Sequence, residues 1–262
     1  MTFFSTIFAI LTSFAAAYTF FAFYLFTINL NWFLPATVDA ANNTPANRDF
    51  KLDVAINIGL FFLFGLMHSL TARKSFKSLF GLHHERAAFL LVTVIFMNIF
   101  LLNWRPLVYP TTQTKTETYH WVLFGICQAI GMFLFVMTNI VFKEDDVFGL
   151  YRCYQLLTIG KVTERKEACS SGFPYNIVRH PMYLGILFML GGELIIPQFR
   201  TVSRLCFLGV AILYLRIGMG YEERDLVRKF GKDYEEYSKR VDSLIPFSFF
   251  TRMFSGDRKK IE

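Results

Sequence analysis

Long stretches of this chain contain no charged residue. None lies between Met1 and Val38, and the 18 residues from Ala87 to Trp104 and the 24 from Tyr119 to Phe142 also contain none. A helix needs about 20 mostly apolar residues to cross roughly 30 Å of hydrocarbon. The pattern predicts an all-α, polytopic membrane protein with about six spans, at 4–28, 54–70, 87–104, 119–142, 182–199 and 205–219.

Lys and Arg are distributed unevenly among the segments that join these spans. The second and fourth loops and the C-terminal segment hold 21 of them, whereas the first, third and fifth loops hold six. Cytoplasmic loops of membrane proteins collect Lys and Arg. We therefore expect both termini to be cytoplasmic. A glycosylation sequon at 42–44 would then lie on the opposite side of the membrane.

The loops divide what we expect to be a single membrane domain over 1–262. We expect a four-span half over 1–142 and a cytoplasmic loop over 143–178. A part with two spans and the tail helix follows over 179–246, and a basic tail over 247–262. Within the loop, a mostly apolar stretch at 147–159 predicts a short interfacial helix.

The segment after the last span has the periodicity of an amphipathic helix. Its apolar residues recur at steps of three and four, at Leu226, Phe230, Tyr234, Tyr237 and Val241. This spacing puts them on one face of a helix. We expect a cytoplasmic tail helix that continues directly from the sixth span and bends at Gly231.

The composition agrees with a membrane protein. Hydrophobic residues make up 54% of the chain and charged residues 18%, against about 25% charged in soluble domains. These values exclude disorder, a coiled coil, a fibre and a secreted disulfide scaffold. The net charge of +7 fits basic membrane-protein loops, so the expected partner is the lipid bilayer and not nucleic acid. The four cysteines form no CxxC pair, and we predict no metal site.

A polar cluster comes directly before the fifth span, at Arg179-His180-Pro181-Met182-Tyr183. Pro is favoured at the first position of a helix, which predicts that His180 lies at the cap. A helix N-terminus attracts anions, and Arg179 could add a bidentate contact to a carboxylate. The alternative interpretation is that Arg179 and Tyr183 anchor the helix at the interface.

Four further polar residues are candidates for function. Glu222 and Glu223 would lie at the membrane surface, where they could bind an amino group, hydroxyls or a cation, or could simply be solvated. Glu193 is the acid inside a span, and ionisable groups there are functional candidates. His68, with Asn57 on nearly the same helix face, could join an interhelical hydrogen-bond network. Structural roles for Glu193 and His68 remain open alternatives.

These residues together resemble a known family. Arg-His-Pro-x-Tyr-Leu-Gly at 179–185, Glu-Glu-x-x-Leu at 222–226 and Phe-Gly-x-x-Tyr-x-x-Tyr at 230–237 are similar to the C-terminal half of isoprenylcysteine carboxyl methyltransferases. The N-terminal segments 64–73, 104–106 and 146–150 are similar to the branch that contains methanethiol S-methyltransferases and nurim. The resemblance therefore spans nearly the whole chain.

The resemblance implies a function and a cofactor. It implies S-adenosylmethionine bound at the cytoplasmic face and methyl transfer to a small or membrane-soluble thiol. Arg179 and His180 would serve the anionic or hydrogen-bonding part of the cofactor, Tyr183 would stack or hydrogen-bond, and Glu222 and Glu223 would hold its cationic or hydroxylated parts. No protein nucleophile is needed, so we assign no catalytic residue.

The same branch implies an alternative function. Nurim is a multi-pass protein of the nuclear envelope without an established reaction. A nurim-like chain would be non-catalytic, would lie in the inner nuclear membrane or endoplasmic reticulum of a eukaryote, and would have nuclear-envelope partners. Binding of S-adenosylmethionine separates the two interpretations, because a structural protein need not bind it.

Overall fold

The computed structural model describes residues 3–30, 34–39, 49–107, 115–141, 147–162 and 172–254. These residues form helices and no strand apart from one isolated bridge. The helices are α1 (Phe3–Thr27), α2 (Phe50–Ala72), α3 (Lys74–Lys77), α4 (Gly81–Asn103), α5 (Thr118–Val141), α6 (Leu150–Thr158), α7 (Pro181–Gly192), α8 (Val202–Phe230), α9 (Lys232–Arg240) and α10 (Phe247–Phe254).

Five helices are long and apolar enough to cross a membrane, namely α1, α2, α4, α5 and α8. They coincide with five of the six predicted spans, and α7 is a shorter apolar helix at the remaining one. The prediction of an all-α polytopic membrane protein is confirmed. The sequon at 42–44 lies outside the described residues.

The predicted span at 182–199 is wrong in its extent. Helix α7 ends at Gly192, and two short 3₁₀ turns follow, Glu193–Ile195 and Pro197–Phe199. Proline lacks an N–H and disfavours helical backbone at the residue before it. Ile196 accordingly is extended, with φ −76° and ψ 115°. Hydropathy detected the apolar segment but not the turn that interrupts it.

The chain forms two compact units. The first comprises 1–114, 143–164 and 198–210, and the second comprises 115–142, 165–197 and 211–262. Helix α8 begins in the first unit and continues into the second. The predicted division at 142, 178 and 246 stays a prediction.

An aromatic cluster fills the core of the first unit. Its ring centroids lie 5.0 to 6.3 Å apart, mostly in edge-to-face or tilted pairs, and it consists of Phe26, Phe61, Phe100, Trp104 and Phe207. Such pairs contribute beyond the area they bury. The Trp104 indole N–H also donates to the Val38 carbonyl at 3.1 Å, as buried indoles usually require.

The predicted interfacial helix is present as α6, although its depth relative to a membrane stays a prediction. Gly149 precedes it at φ 71°, a conformation that favours glycine. One face of α6 packs into the unit through Cys153 and Leu156, whereas Tyr154 and Leu157 are exposed. Helix α6 is therefore amphipathic, as the sequence predicted.

Glycines allow α5 and α7 to approach closely in the second unit. A Cβ on Gly131 would lie 2.6 Å from the Gly185 carbonyl oxygen, and one on Gly192 would lie 2.5 Å from the Cys127 Cβ. Small residues permit such contacts between membrane helices. The neighbouring Gly191 takes no part in this packing, since a Cβ on it would meet nothing within 4 Å.

The tail helix also forms as predicted, with its bend at Gly231. Helix α8 runs without interruption to Phe230, Gly231 adopts φ 56°, and α9 follows. The predicted apolar stripe is buried at Tyr234, Tyr237 and Val241, which pack with Tyr175, Leu226 and Phe230. This cluster fixes α9 beside the chain that enters α7.

Candidate functional site

The chain enters α7 along the end of α9. Val178 pairs with Asp242 in an isolated parallel bridge, the Arg179 N–H donates to the Asp242 carbonyl at 2.8 Å, and the His180 N–H donates to the Ser243 carbonyl at 3.0 Å. Pro181 then begins α7, with His180 at the cap, which confirms the local prediction. These backbone contacts alone fix the main-chain positions of Arg179 and His180.

The Arg179 guanidinium is clamped by two sets of acceptors. Its Nη1 donates to the carbonyls of Ser238 at 2.9 Å and Val241 at 2.6 Å. Its Nε and Nη2 donate to Glu223 Oε1 at 3.0 and 2.6 Å. The last carbonyls of a helix lack intrahelical partners, and Arg179 satisfies that of Ser238 in α9 and that of the C-cap residue Val241. It thereby joins α9 to α8 and uses four of its five donors within the protein.

His180 lies between two carboxylates. Its Nε2 is 3.1 Å from Glu223 Oε1, and its Nδ1 is 3.4 Å from Glu222 Oε2. The Tyr183 ring stacks on the imidazole at a centroid distance of 5.5 Å and an interplanar angle of 9°. The Tyr183 hydroxyl is within hydrogen-bonding reach of Glu222. The structure thus brings all five predicted site residues into one cluster.

The cluster has its nitrogen-containing side chains inside and its acids outside. The side chains of His180 and Arg179 are 2% and 12% exposed, whereas those of Glu223 and Glu222 are 30% and 46% exposed. A ligand would therefore meet the carboxylates first. Carboxylates accept hydrogen bonds from ammonium and hydroxyl groups and attract cations.

Sequence reasoning missed one member of the site, Tyr234. It is 3% exposed, and among the described residues its hydroxyl has no hydrogen-bond partner. Burial, together with the nearby Glu223 carboxylate, raises the pKa of Tyr234 to about 12, although the Arg179 guanidinium opposes this rise. The phenol therefore stays protonated and can act as a donor. The sequence placed Tyr234 only on an apolar stripe, and no pattern marked its hydroxyl.

The other predicted polar residues lie elsewhere. Glu193 is buried in the turn after α7, 13 residues beyond His180 and roughly 20 Å along the chain. His68 belongs to the first unit, where its Nδ1 is 3.2 Å from Thr93 Oγ1 on α4. Asn57 donates to the Arg105 carbonyl at 2.6 Å. His68 thus forms an interhelical hydrogen bond, as expected, whereas Asn57 bonds to the backbone of Arg105, which follows the end of α4.

Comparison with known proteins adds to this geometry. The family described as phospholipid methyltransferase matches residues 126–233, a range that includes all five predicted site residues. Over 233 residues the chain is 28% identical to methanethiol S-methyltransferase 2 of Bradyrhizobium diazoefficiens, which covers 87% of this chain and 85% of that protein.

Two further relatives are also similar to this chain. Nurim of Xenopus laevis is 25% identical over 197 residues, covering 70% of this chain and 68% of nurim. Protein-S-isoprenylcysteine O-methyltransferase B of Arabidopsis thaliana is 36% identical over 73 residues, covering 28% and 36% of the two chains. No solved structure matches the chain significantly.

The fold and the matches together indicate a polytopic protein related to membrane methyltransferases. More narrowly, they confirm the predicted resemblance to the branch that contains the methanethiol S-methyltransferases and nurim. Proteins of a methyltransferase family use a methyl donor, and the cluster around Glu223 lies within the segment that matches that family.

Proposed function

We propose that the protein is an integral membrane methyltransferase that uses S-adenosylmethionine and acts on a small or membrane-soluble thiol. The observation that supports this proposal most is the polar cluster of Arg179, His180, Tyr183, Glu222 and Glu223 inside the segment that matches the methyltransferase family. The relatives named methanethiol S-methyltransferase suggest the thiol acceptor.

The residues present fit this cofactor. Its ammonium and ribose hydroxyls would bind the two carboxylates that face outward, Glu222 and Glu223. The stacked rings of His180 and Tyr183 offer a flat surface to the adenine or the sulfonium, since aromatic faces attract cations. The unpartnered hydroxyl of Tyr234 is a further donor, suited to a carboxylate.

The structure favours a supporting role for Arg179 over direct contact with the cofactor. Four of its donors bind Glu223 and the end of α9, so it orients the acid that the ligand would meet. This differs from the role that the family resemblance implied for Arg179.

When bound, S-adenosylmethionine supplies an activated methyl group. The protein has to hold the acceptor in line with that group, and such positioning can supply most of the acceleration. A thiol ionises near pH 8.5 and its thiolate is a strong nucleophile, so the site needs no strong base.

The same proposal includes an orientation. Both termini would be cytoplasmic, and Glu222 and Glu223 would lie at that face, where a water-soluble cofactor is available. In a eukaryote the membrane would be the endoplasmic reticulum or the inner nuclear membrane. The distribution of Lys and Arg among the loops supports this arrangement.

A nurim-like, non-catalytic membrane protein with nuclear-envelope partners is the second candidate. The similarity to Xenopus nurim over 70% of the chain favours it. The two candidates differ in cofactor binding, which makes binding the decisive measurement.

The test is calorimetric titration of S-adenosylmethionine into the purified protein in detergent. We expect saturable binding that Glu222→Gln weakens at least about tenfold, because a hydrogen bond to a charged group contributes about 1.5–3 kcal/mol. Glu236→Gln is the matched control, since Glu236 is an exposed acid of α9 outside the cluster. Methylated products from a panel of thiols, detected by mass spectrometry, would then identify the acceptor.

Two results would overturn the proposal. Well-folded wild-type protein that binds no S-adenosylmethionine would leave the nurim-like interpretation. Binding that is weakened equally by Glu236→Gln and Glu222→Gln would show that the ligand does not use this cluster.

A further inference from the structure

A shallow groove lies on the outer face of α8, separate from the candidate site. It has a volume of about 230 Å³ and is lined by Arg216, Ile217, Gly220, Tyr221 and Arg224. Arg216, Gly220 and Arg224 are spaced by four residues, so they share one helix face. Gly220 has no neighbour within 4 Å of a Cβ built on it, which leaves a notch between the two arginines.

Neither arginine of the groove pairs with an acid among the residues that the structure describes. Among the described residues Arg216 makes no ion pair, and Arg224 contacts only the Tyr221 ring, 5.7 Å from its centroid. By contrast Arg228, one turn further along α8, pairs with Asp225 at 3.1 Å. The groove therefore presents two exposed positive charges that no described acid neutralises.

The groove continues a face of α8 that is suited to lipid. Ile212, Leu213 and Ile217 are exposed on the adjoining turns. Exposed apolar side chains on a membrane-spanning helix face the acyl chains, and Arg and Tyr at the end of such a stretch mark the level of the headgroups. Arg216 follows apolar residues of the helix directly, so an anion at the membrane surface would be a favourable partner for its charge.

We propose that this groove binds the phosphate of an anionic phospholipid, with Arg216 and Arg224 on either side of the headgroup and Ile217 and Tyr221 against its glycerol and upper acyl chain. Arginine is the side chain best suited to bidentate contact with phosphate. The notch at Gly220 gives the phosphate room close to the helix. The proposal is independent of cofactor binding and of the methyl acceptor.

The groove lies next to the candidate site along α8. Glu222 and Glu223 are on the same two turns as Tyr221 and Arg224 but contact His180 and Arg179.

The test is native mass spectrometry of the full-length protein released from nanodiscs that contain equal amounts of phosphatidylglycerol and phosphatidylcholine. Wild-type protein should retain phosphatidylglycerol preferentially. The double variant Arg216→Gln/Arg224→Gln should lose one retained lipid and weaken retention about 30-fold, because each basic residue near the surface contributes about fivefold. Both arginines are exposed, so thermal unfolding should be nearly unchanged and should serve as the folding control.

Arg228→Gln is the matched variant, since it removes an exposed arginine of the same helix that is already paired. Equal loss of phosphatidylglycerol in this variant would overturn the proposal, because general surface charge would then explain retention. Equal retention of both lipids by the wild type would also overturn it. So would a dimer that disappears in the double variant, since a second copy of the chain would then occupy the groove.

Discussion

Among the described residues, Arg204 of the first unit and Arg179 of the second each bind a carboxylate through a side chain that is at most 12% exposed, and the two carboxylates differ in exposure. Arg204 is 1% exposed and its partner Asp39 is 10% exposed, whereas Arg179 faces Glu223, which is 30% exposed. Both pairs have short contacts, with Nη2 to carboxylate distances of 2.7 and 2.6 Å. Geometry alone therefore does not distinguish them.

The partners of the acids distinguish the two clusters. Asp39 also accepts from the Asn29 amide at 2.7 Å and from the Thr201 hydroxyl, and the Arg204 guanidinium lies 4.5 Å from the centroid of the Phe199 ring. All of these groups belong to the first unit, and the cluster is closed to ligands. Around Glu223, by contrast, Glu222 is 46% exposed, and the buried Tyr234 hydroxyl has no hydrogen-bond partner among the described residues. A buried ion pair thus indicates structure when it is enclosed and suggests a site when its acid faces outward.

The largest loss of stability should follow from breaking the enclosed ion pair of Arg204 and Asp39. Arg204→Ala leaves Asp39 with its charge but without its main partner, and breaking a buried pair in this way costs about 3–5 kcal/mol. We expect a correspondingly large loss in the free energy of unfolding, measured by denaturant titration in detergent micelles. Arg228→Ala, at an exposed pair, should change it by less than about 1 kcal/mol. Similar losses in the two variants would contradict the comparison.

A smaller loss of stability is expected for Arg179→Lys in the cluster around Glu223. Lysine keeps the charge but has three donors in place of five, so the contacts to Glu223 and to the carbonyls of Ser238 and Val241 cannot all be kept. We expect a loss of about 2 kcal/mol in unfolding free energy, together with weaker binding of S-adenosylmethionine. A variant with wild-type stability and binding would show that charge alone is sufficient at this position.

Substitutions of two tyrosines of α9 should affect stability and ligand binding differently, with changes of about 1 kcal/mol. The Tyr237 hydroxyl donates to the Tyr175 carbonyl at 2.7 Å, whereas that of Tyr234 has no hydrogen-bond partner among the described residues. Tyr237→Phe should lose about 1 kcal/mol of stability and keep its ligand affinity. Tyr234→Phe should be at least as stable as the wild type but bind S-adenosylmethionine more weakly. If Tyr237→Phe weakened binding of S-adenosylmethionine as much as Tyr234→Phe does, or more, a ligand role for Tyr234 would be contradicted.

The smallest stability effect should follow Glu222→Gln. This acid is 46% exposed and contacts His180 at 3.4 Å, so solvent screens most of the interaction. We expect the unfolding free energy to change by less than about 0.5 kcal/mol in thermal or denaturant melts. A change above 1 kcal/mol would place Glu222 among the structural residues, with Asp39.

Local patterns predicted much of this molecule. The absence of charge located five long helices, Pro181 located the start of α7 with His180 at its cap, and Gly231 located the bend in the tail. Each of these features depends on residues that are adjacent or a few positions apart. The family motifs brought together the five residues that cluster around Glu223.

Contacts between distant residues could not be predicted in the same way. Asp39 and Arg204 are 165 positions apart, and in the sequence Asp39 was only the first charge after an apolar segment. The bonds from Arg179 to the end of α9 depend on backbone carbonyls, which every residue has and no sequence pattern marks. The early end of α7 depends on one proline whose effect hydropathy does not register.

The short length of α7 has a consequence for how the protein is made. With its following 3₁₀ turn, α7 spans roughly 24 Å, less than the ~30 Å of hydrocarbon. Its glycine contacts are with α5, a helix that the ribosome completes earlier. Because of this order of synthesis, α5 is already in the bilayer as a partner when α7 leaves the ribosome. Moving α5 to the end of the chain by circular permutation should therefore impair the insertion of α7 more than the folding of the finished protein.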